Sequence, residues 1–109
     1  MARGRKRPCS SIGKAHRMLQ GFNSDAQYAG RVFHVQTEDG GLERPRVITH
    51  LFLRGAVVTV TRSDYADDLE KPDLTTRIRE LMEAQHQAML TALLRGEWDT
   101  QIQSCDPRS

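Results

Sequence analysis

The sequence contains little cysteine, few aromatic residues and no long apolar run. It has two cysteines among 109 residues, and aromatic residues make up 6% of the chain. Cys9 and Cys105 stand near opposite ends, which does not suit a disulfide framework or a zinc site and favours reduced thiols. No apolar stretch approaches the roughly 20 residues of a membrane helix, and the basic start lacks the apolar stretch of a secretory signal. We therefore expect a cytoplasmic protein with no membrane span.

Charge is distributed unevenly along the chain. The formal net charge is +2, but the first twenty residues contain six basic side chains and no acidic one. The six are Arg3, Arg5, Lys6, Arg7, Lys14 and Arg17. Small residues and a proline stand between them without apolar periodicity, so residues 1–20 are predicted to form a flexible basic tail. Such a tail attracts polyanions such as nucleic acid, anionic lipid or an acidic protein, or it only keeps the domain soluble.

Two periodicities divide the rest of the chain. Residues 23–62 are apolar at every second position and carry two-residue turns at Ala29-Gly30 and Arg54-Gly55, which predicts four strands. Residues 74–95 have apolar spacings of three, four and seven, which predicts one helix that stops at Gly96. The expected fold class is α+β, a four-stranded antiparallel β-meander with one C-terminal helix packed on one face (ββββα). This domain covers residues 21–99, and residues 100–109 are predicted to be a flexible C-terminal tail.

Alternation assigns each strand residue to one of two faces. If the second connection sets Glu38 opposite Arg46, the apolar positions fall on one face, which the helix should cover. This predicted core face comprises Ala26, Tyr28, Phe33, Val35, Val47, Leu51, Leu53, Val58 and Val60. The helix stripe predicted to dock on it comprises Leu74, Ile78, Leu81, Met82, Gln85, Ala88, Met89, Ala92 and Leu93. Leu90 and Leu94 lie outside the stripe, and they either pack near Trp98 or form a homodimer seam on the C-terminal helix.

The opposite, open face mixes apolar, aromatic and polar side chains. Its apolar members are Val32, Ile48, Phe52 and Val57, and its polar members are Asn23, Asp25, Gln27, His34, Gln36, His50, Thr59 and Thr61. An apolar cluster rimmed by polar groups is typical of a protein-contact surface, although the first twenty residues would also be able to cover it. We predict a partner-binding surface formed by Asp25, Val32, His34, Ile48, His50, Phe52 and Val57.

One row across this face carries titratable side chains. The predicted register aligns four residues opposite one another: Asp25, His34, His50 and Thr59. Directly opposed residues have Cβ atoms about 5 Å apart, so a carboxylate and two imidazoles in one row would be able to hold a transition metal or move a proton. A third ligand, a nucleophile and a cleft cannot be placed, and a cross-strand polar pair between Asp25 and His34 is the favoured interpretation. We predict no catalytic residue, no metal and no cofactor.

Four strings of residues are similar to a known family. They are Gly21-Phe22-Asn23, the run from Gly30 to Asp39 that contains His-Val-Gln-Thr-Glu, Ser63-Asp64-Tyr65, and the helical run from Gln85 to Leu90. Over residues 21–96 the chain resembles a family of small cell-polarity proteins from myxobacteria, the RomX/RomY-like regulators of the Ras-like GTPase MglA. The resemblance implies a binding protein that promotes nucleotide exchange on a small GTPase in motility, together with a response-regulator partner. It assigns no role to any single residue.

The sequence thus predicts a non-enzymatic protein-binding adaptor or regulator. The alternative is a nucleic-acid-binding accessory protein that acts through the basic tail. The residues that follow the tail carry a net charge of −4, and the open face lacks the basic stripe or stacked aromatics of sheet-based nucleic-acid readers. Protein binding is therefore the preferred hypothesis.

Overall fold

The computed structural model describes residues 21–105, in which four antiparallel strands and two helices form an α+β fold. The strands lie in one open sheet in chain order: β1 (Phe22–Tyr28), β2 (Arg31–Asp39), β3 (Arg46–Leu53) and β4 (Ala56–Asp64). A 3-10 turn (Ala66–Asp68) leads to helix α1 (Leu74–Leu94), which packs across the sheet, and helix α2 (Asp99–Cys105) follows. The predicted fold class is confirmed, and the predicted basic tail lies outside the described residues.

Both two-residue turns form where the sequence predicts them. Ala29 and Gly30 join β1 to β2 with φ angles of 54° and 77°, and Arg54 and Gly55 join β3 to β4 with φ angles of 56° and 82°. Positive φ at both central positions gives a tight turn whose twist matches that of the strands. Glycine adopts this conformation without a steric cost, so only one residue in each turn is strained.

The connection between β2 and β3 sets a register two residues away from the predicted one. Glu38 pairs with Ile48, whereas the simplest loop closure would place it opposite Arg46. The Gly40 N–H donates to the Arg46 carbonyl at 2.9 Å, so the strand ladder continues into the loop. Because the shift is even, every side chain of β2 and β3 keeps its predicted face, but its neighbour across the strands changes.

A β-bulge in β4 reverses the faces of the residues that follow it. Phe52 pairs with Val57 and Leu51 pairs with Thr59, so Val58 is an extra residue on β4. Val58 is 8% exposed and belongs to the core, as predicted.

Because of the bulge, the predicted faces of three β4 residues are wrong. Alternation alone predicts Val60 in the core, but Val60 lies opposite His50 and therefore on the open face. Alternation also predicts Thr59 and Thr61 on the open face, but both lie opposite helix-facing residues of β3. A run of valine and threonine fits a strand equally well with or without one extra residue, so the sequence gives no signal for the bulge.

Helix α1 covers the sheet with a stripe that is rotated relative to the predicted one. Its buried residues are Ile78, Met82, His86, Met89 and Leu93. His86 is 4% exposed although its position predicts a place outside the stripe, whereas Ala88 is exposed although predicted inside it. Gly96, with φ of 82°, follows the helix end as predicted.

The predicted core of the sheet is otherwise confirmed. The buried members are Phe33, Val35, Val47, Leu51, Leu53 and Val58, and Ala26 and Tyr28 pack against them partly buried. The core has two clusters. The larger contains Phe33, Leu51 and Met89, and the smaller groups Val47 with Ile78 and other side chains from the first half of α1.

Helix α2 takes the place of the flexible tail that the sequence predicts from residue 100. Ile102 is 3% exposed and packs in the larger cluster, close to the sheet. The Cys105 Sγ lies 3.3 Å from the carbonyl oxygen of Val57, which ties the end of α2 to β4. Burial of one isoleucine contributes about 1.5–3 kcal/mol, and this packing stabilises a helix too short to form alone.

Candidate functional site

A row of three rings occupies the open face of the sheet. The Phe52 ring lies between two imidazoles, with its centroid 6.2 Å from that of His34 and 5.4 Å from that of His50. The planes of Phe52 and His50 are stacked at 15°. Val57, directly opposite Phe52 on β4, extends the row and is 46% exposed. The three rings and Val57, which we call the ring row, form an aromatic and apolar strip across three strands.

The ring row differs from the predicted row in two of its members. The structure places Phe52, rather than His50, opposite His34. His50 lies opposite Gln36 instead, because of the two-residue register shift between β2 and β3. Thr59, the predicted fourth member, is turned to the helix side by the bulge. A phenyl ring therefore separates the two imidazoles, and no group of three or more His, Cys, Asp or Glu in residues 21–105 is placed to hold a metal ion.

The pair between Asp25 and His34 is confirmed. The two residues are opposite each other on β1 and β2, with 2.8 Å between Asp25 Oδ1 and His34 Nδ1. The other ring nitrogen, Nε2, lies 3.2 Å from the side-chain oxygen of Asn23. Both side chains of the pair are exposed, at 73% for Asp25 and 40% for His34, so the ion pair contributes less than about 1 kcal/mol. Its main effect is to hold the His34 ring against Phe52.

All seven residues predicted to bind a partner share the open face. Val32 stands 55% exposed beside the β1–β2 turn, and Ile48 and His50 follow each other at alternate positions of β3. Two opposite charges border this apolar centre, since Ile48 has Glu38 on one side and Arg62 on the other. Val60, which alternation assigns to the core, adds a further apolar side chain to the same surface.

A chain of hydrogen bonds, which the sequence did not predict, crosses the interface between α1 and the sheet. It links one hydroxyl from each strand through two consecutive helix residues, in the order Ser24, His86, Thr37, Thr49, Gln85 and Ser63. The His86 ring nitrogens lie 2.8 Å from Ser24 Oγ and 2.8 Å from Thr37 Oγ1. Thr37 and Thr49 are fully buried, with 2.7 Å between their hydroxyl oxygens. We call this chain the polar seam.

Gln85 anchors one end of the polar seam. Its amide nitrogen lies 3.0 Å from Thr49 Oγ1 and 3.1 Å and 3.2 Å from the carbonyl oxygens of Val47 and Thr61. At the other end, a neutral His86 has one ring nitrogen that donates and one that accepts, and the hydroxyls of Ser24 and Thr37 can take either role. The neutral imidazole therefore satisfies both of its hydrogen-bond partners.

Burial favours the neutral form of His86. Burial, and after it the charge of a protonated His34, lowers the pKa of His86 below its ordinary value. Because each buried hydroxyl and ring nitrogen of the seam needs a partner from the facing element, the seam specifies how α1 sits on the sheet.

A second buried polar contact, also missed, fixes the loop after β2. Asp39 is 2% exposed, and its Oδ1 accepts from the Tyr65 hydroxyl at 2.5 Å and from the Gly41 N–H at 2.9 Å. Burial, together with the hydrogen bond to Asp39, raises the pKa of Tyr65 far above its ordinary range. The contact joins the start of the β2–β3 connection to the chain that follows β4, and the Tyr65 N–H donates to the Pro45 carbonyl at the other end, at 2.8 Å. Both contacts support the observed register.

The polar seam has a signal in the sequence that alternation alone does not interpret. Thr37 and Thr49 occupy positions in phase with the core residues of β2 and β3, and Gln85 and His86 are adjacent on the core side of a helix. Polar residues in core phase on facing elements indicate a buried network, since a buried polar group needs a partner.

The remaining predicted features have separate outcomes. Leu90 and Trp98 pack against the larger core cluster, whereas Leu94 is 57% exposed on α1. Neither helix in residues 21–105 combines the length and the apolar character needed to cross a membrane. The basic side chains from Arg3 to Arg17 fall outside the part of the chain that the structure describes.

Comparisons with known proteins returned no match to this chain, whether among protein-family models, curated proteins or solved structures.

Proposed function

We propose that the protein is a non-enzymatic adaptor or regulator that binds another protein through the open face of its sheet. The observation that carries the proposal is the ring row, in which Phe52 and Val57 present an apolar centre to solvent between two imidazoles. No described element packs on this face, because α1 and the core lie on the other side. Aromatic residues at the centre of a polar-rimmed patch are typical of protein interfaces.

The chemistry of the surface fits a protein partner better than a small substrate. The face is a broad sheet surface, and small-molecule sites are concave. Its centre is apolar and its border carries both charge signs, with Glu38 and Arg62 on either side of Ile48. A partner would contact Phe52 and Val57 with apolar side chains and would meet Asp25 and His34 with hydrogen-bonding groups.

The resemblance to the RomX/RomY-like family makes a Ras-like GTPase of the MglA type the first partner to test, with a response-regulator polarity protein as a second component. Promotion of nucleotide exchange requires no side-chain chemistry in the regulator. It requires tighter binding to the nucleotide-free GTPase than to the loaded one. A flat binding face without an activated nucleophile is compatible with such a role.

The test is a substitution at the centre of the ring row. Phe52→Asp should weaken binding of the purified GTPase by at least about 2 kcal/mol, because it removes an aromatic contact and buries a charge in the interface. Leu94→Asp is the control, since Leu94 is an exposed apolar residue that lies on α1, away from the open face. Isothermal titration calorimetry with nucleotide-free and loaded GTPase measures the affinities, and thermal unfolding checks both folds. Wild-type affinity for Phe52→Asp would rule out the open face.

The basic segment supports the competing proposal of nucleic-acid binding, and the same chain can test it. Replacing Arg3, Arg5, Lys6, Arg7, Lys14 and Arg17 with serine in the full-length protein removes every lysine and arginine from the first twenty residues. The adaptor proposal predicts that affinity for the protein partner survives this change. Loss of partner binding, together with salt-sensitive binding of the unmodified protein to a duplex DNA, would favour the alternative.

A further inference from the structure

Strand β1 is an edge strand of the sheet formed by the described residues. Among the described strands it pairs with β2 alone. The two-residue turn makes Tyr28 and Arg31 a hydrogen-bonded pair, so the bonded residues alternate from there along β1. The N–H and C=O groups of Asn23, Asp25 and Gln27 therefore point outward from the sheet. An outward row of this kind is a template for another strand.

The opposite edge is less accessible. Helix α2 packs beside β4, and the Cys105 Sγ lies 3.3 Å from the Val57 carbonyl oxygen. The bulge at Val58 also breaks the regular spacing of backbone groups on that strand. Among the elements of residues 21–105, no helix covers the edge of β1, and its seven residues pair with β2 without a bulge.

A hollow of about 570 Å³ lies beside the first half of β1, on its helix side, between residues 21–24 and α1. Its walls include Phe22 and Ser24 from β1 and Glu83, His86 and Gln87 from α1. The ring of Phe22 contacts that of His86 edge-on, with 5.9 Å between centroids, and forms an apolar wall. The side chains of a strand added to β1 would point alternately toward this hollow and toward the open face.

Two groups in the hollow define what would fit it. The Ser24 hydroxyl, 2.8 Å from His86 Nε2, lines the hollow. Glu83 is exposed and forms no salt bridge with any other residue in the described part of the chain. A segment that carries a lysine or arginine on its helix-facing side would complement Glu83, and its polar groups would be able to form a hydrogen bond with Ser24.

We propose that the groove between β1 and α1 binds an extended segment of a partner protein by strand addition, with a basic side chain of that segment placed against Glu83. Backbone hydrogen bonds to the edge would supply affinity, and the hollow would select the side chain. This surface is separate from the ring row, so the inference does not depend on the proposed function.

The probe is the labelled peptide acetyl-Ser-Thr-Lys-Val-Lys-Thr-Ser-amide, titrated against the full-length protein, with a peptide that has glutamate in place of both lysines for comparison. The lysine peptide should bind about tenfold more tightly than the glutamate peptide. Glu83→Lys should reverse this preference. Glu80→Lys is the matched control on the same helix and should change the affinity by less than about twofold, because Glu80 lines a different hollow near Tyr65.

Backbone methylation separates strand addition from simple charge attraction. N-methyl groups on the peptide amides that point toward β1 should abolish binding. N-methyl groups on the alternate amides, which point away from β1, should leave binding nearly unchanged. In ¹⁵N NMR spectra the peptide should shift the amide signals of Asn23, Asp25 and Gln27, and Phe52→Asp should not affect its affinity.

Three results would overturn the inference. They are no binding up to about 1 mM peptide, equal effects of the two methylation patterns, and NMR shifts confined to the ring row. Any one of them leaves the adaptor proposal for the open face intact.

Discussion

Acidification should destabilise the fold through His86, the buried histidine of the polar seam. Burial lowers its pKa below the ordinary value of 6.5 that it regains in the unfolded chain. Above about pH 6.5 the imidazole is neutral in both states and its titration changes nothing. Below that pH the unfolded chain takes up a proton that the folded protein does not. The free energy of unfolding therefore falls as the pH drops from about 6.5 toward the pKa of the folded state.

The size of the effect follows from one proton. A difference of one bound proton changes the free energy of unfolding by about 1.4 kcal/mol per pH unit. A domain of this length is stable by only about 5–10 kcal/mol, so a pH unit below 6.5 removes a sizeable fraction of the total.

Urea unfolding at a series of pH values between about 5 and 8 measures this dependence. His86→Gln is the informative variant, since glutamine both donates and accepts but does not titrate. Its stability should change less with pH than that of the wild type below about pH 6.5, whatever its absolute stability. His50→Gln, on the open face, is the control for the removal of a histidine, and its slope is compared with that of His86→Gln. Equal slopes for the wild type and His86→Gln would refute the reasoning.

Two further predictions concern features that the sequence did not disclose. Tyr65→Phe removes the hydroxyl that donates to buried Asp39 and should cost about 1.5–3 kcal/mol in urea unfolding. A Tyr65→Phe variant as stable as the wild type would contradict this expectation. Because the pKa of Tyr65 is raised in the fold, wild-type stability should also fall as the pH rises above about 10. Val58→Thr should cost about 1–2 kcal/mol, whereas Val60→Thr should cost less than about 0.5 kcal/mol. Thermal unfolding of the two valine variants measures both losses of stability. A larger loss for Val60→Thr than for Val58→Thr would contradict the bulge.

Local signals in the sequence were sufficient for the strands, the tight turns and the long helix. Gly30 and Gly55 occupy the second position of two-residue turns that require positive φ. These turns fix the pairing of β1 with β2 and of β3 with β4 next to the turn. The spacing of apolar residues indicates α1, and Gly96 marks its end. These features depend on residues that are close in the chain, so a sequence without coordinates contains them.

The composition of the open face was also predictable, but its arrangement was not. A register shift of two residues between β2 and β3 leaves every side chain on its face, so alternation cannot detect it. It nevertheless decides that Phe52, and not His50, stands opposite His34. The ring row therefore depends on how the loop closes around Gly40 and Asp39, which involves contacts with Tyr65 from beyond β4.

Residues close together in the chain specify the meander, the helix and which side chains of the first three strands face outward, because the period of two in a strand and the conformational needs of a turn act over a few residues. The bulge at Val58, the polar seam and the docking of α2 depend instead on contacts between distant segments. His86 lies 62 residues from Ser24 in the chain, and the hydrogen bond between them exists only after α1 packs on the sheet. Contacts of this kind are chosen by packing and by the need of buried polar groups for partners, and neither is visible in local periodicity.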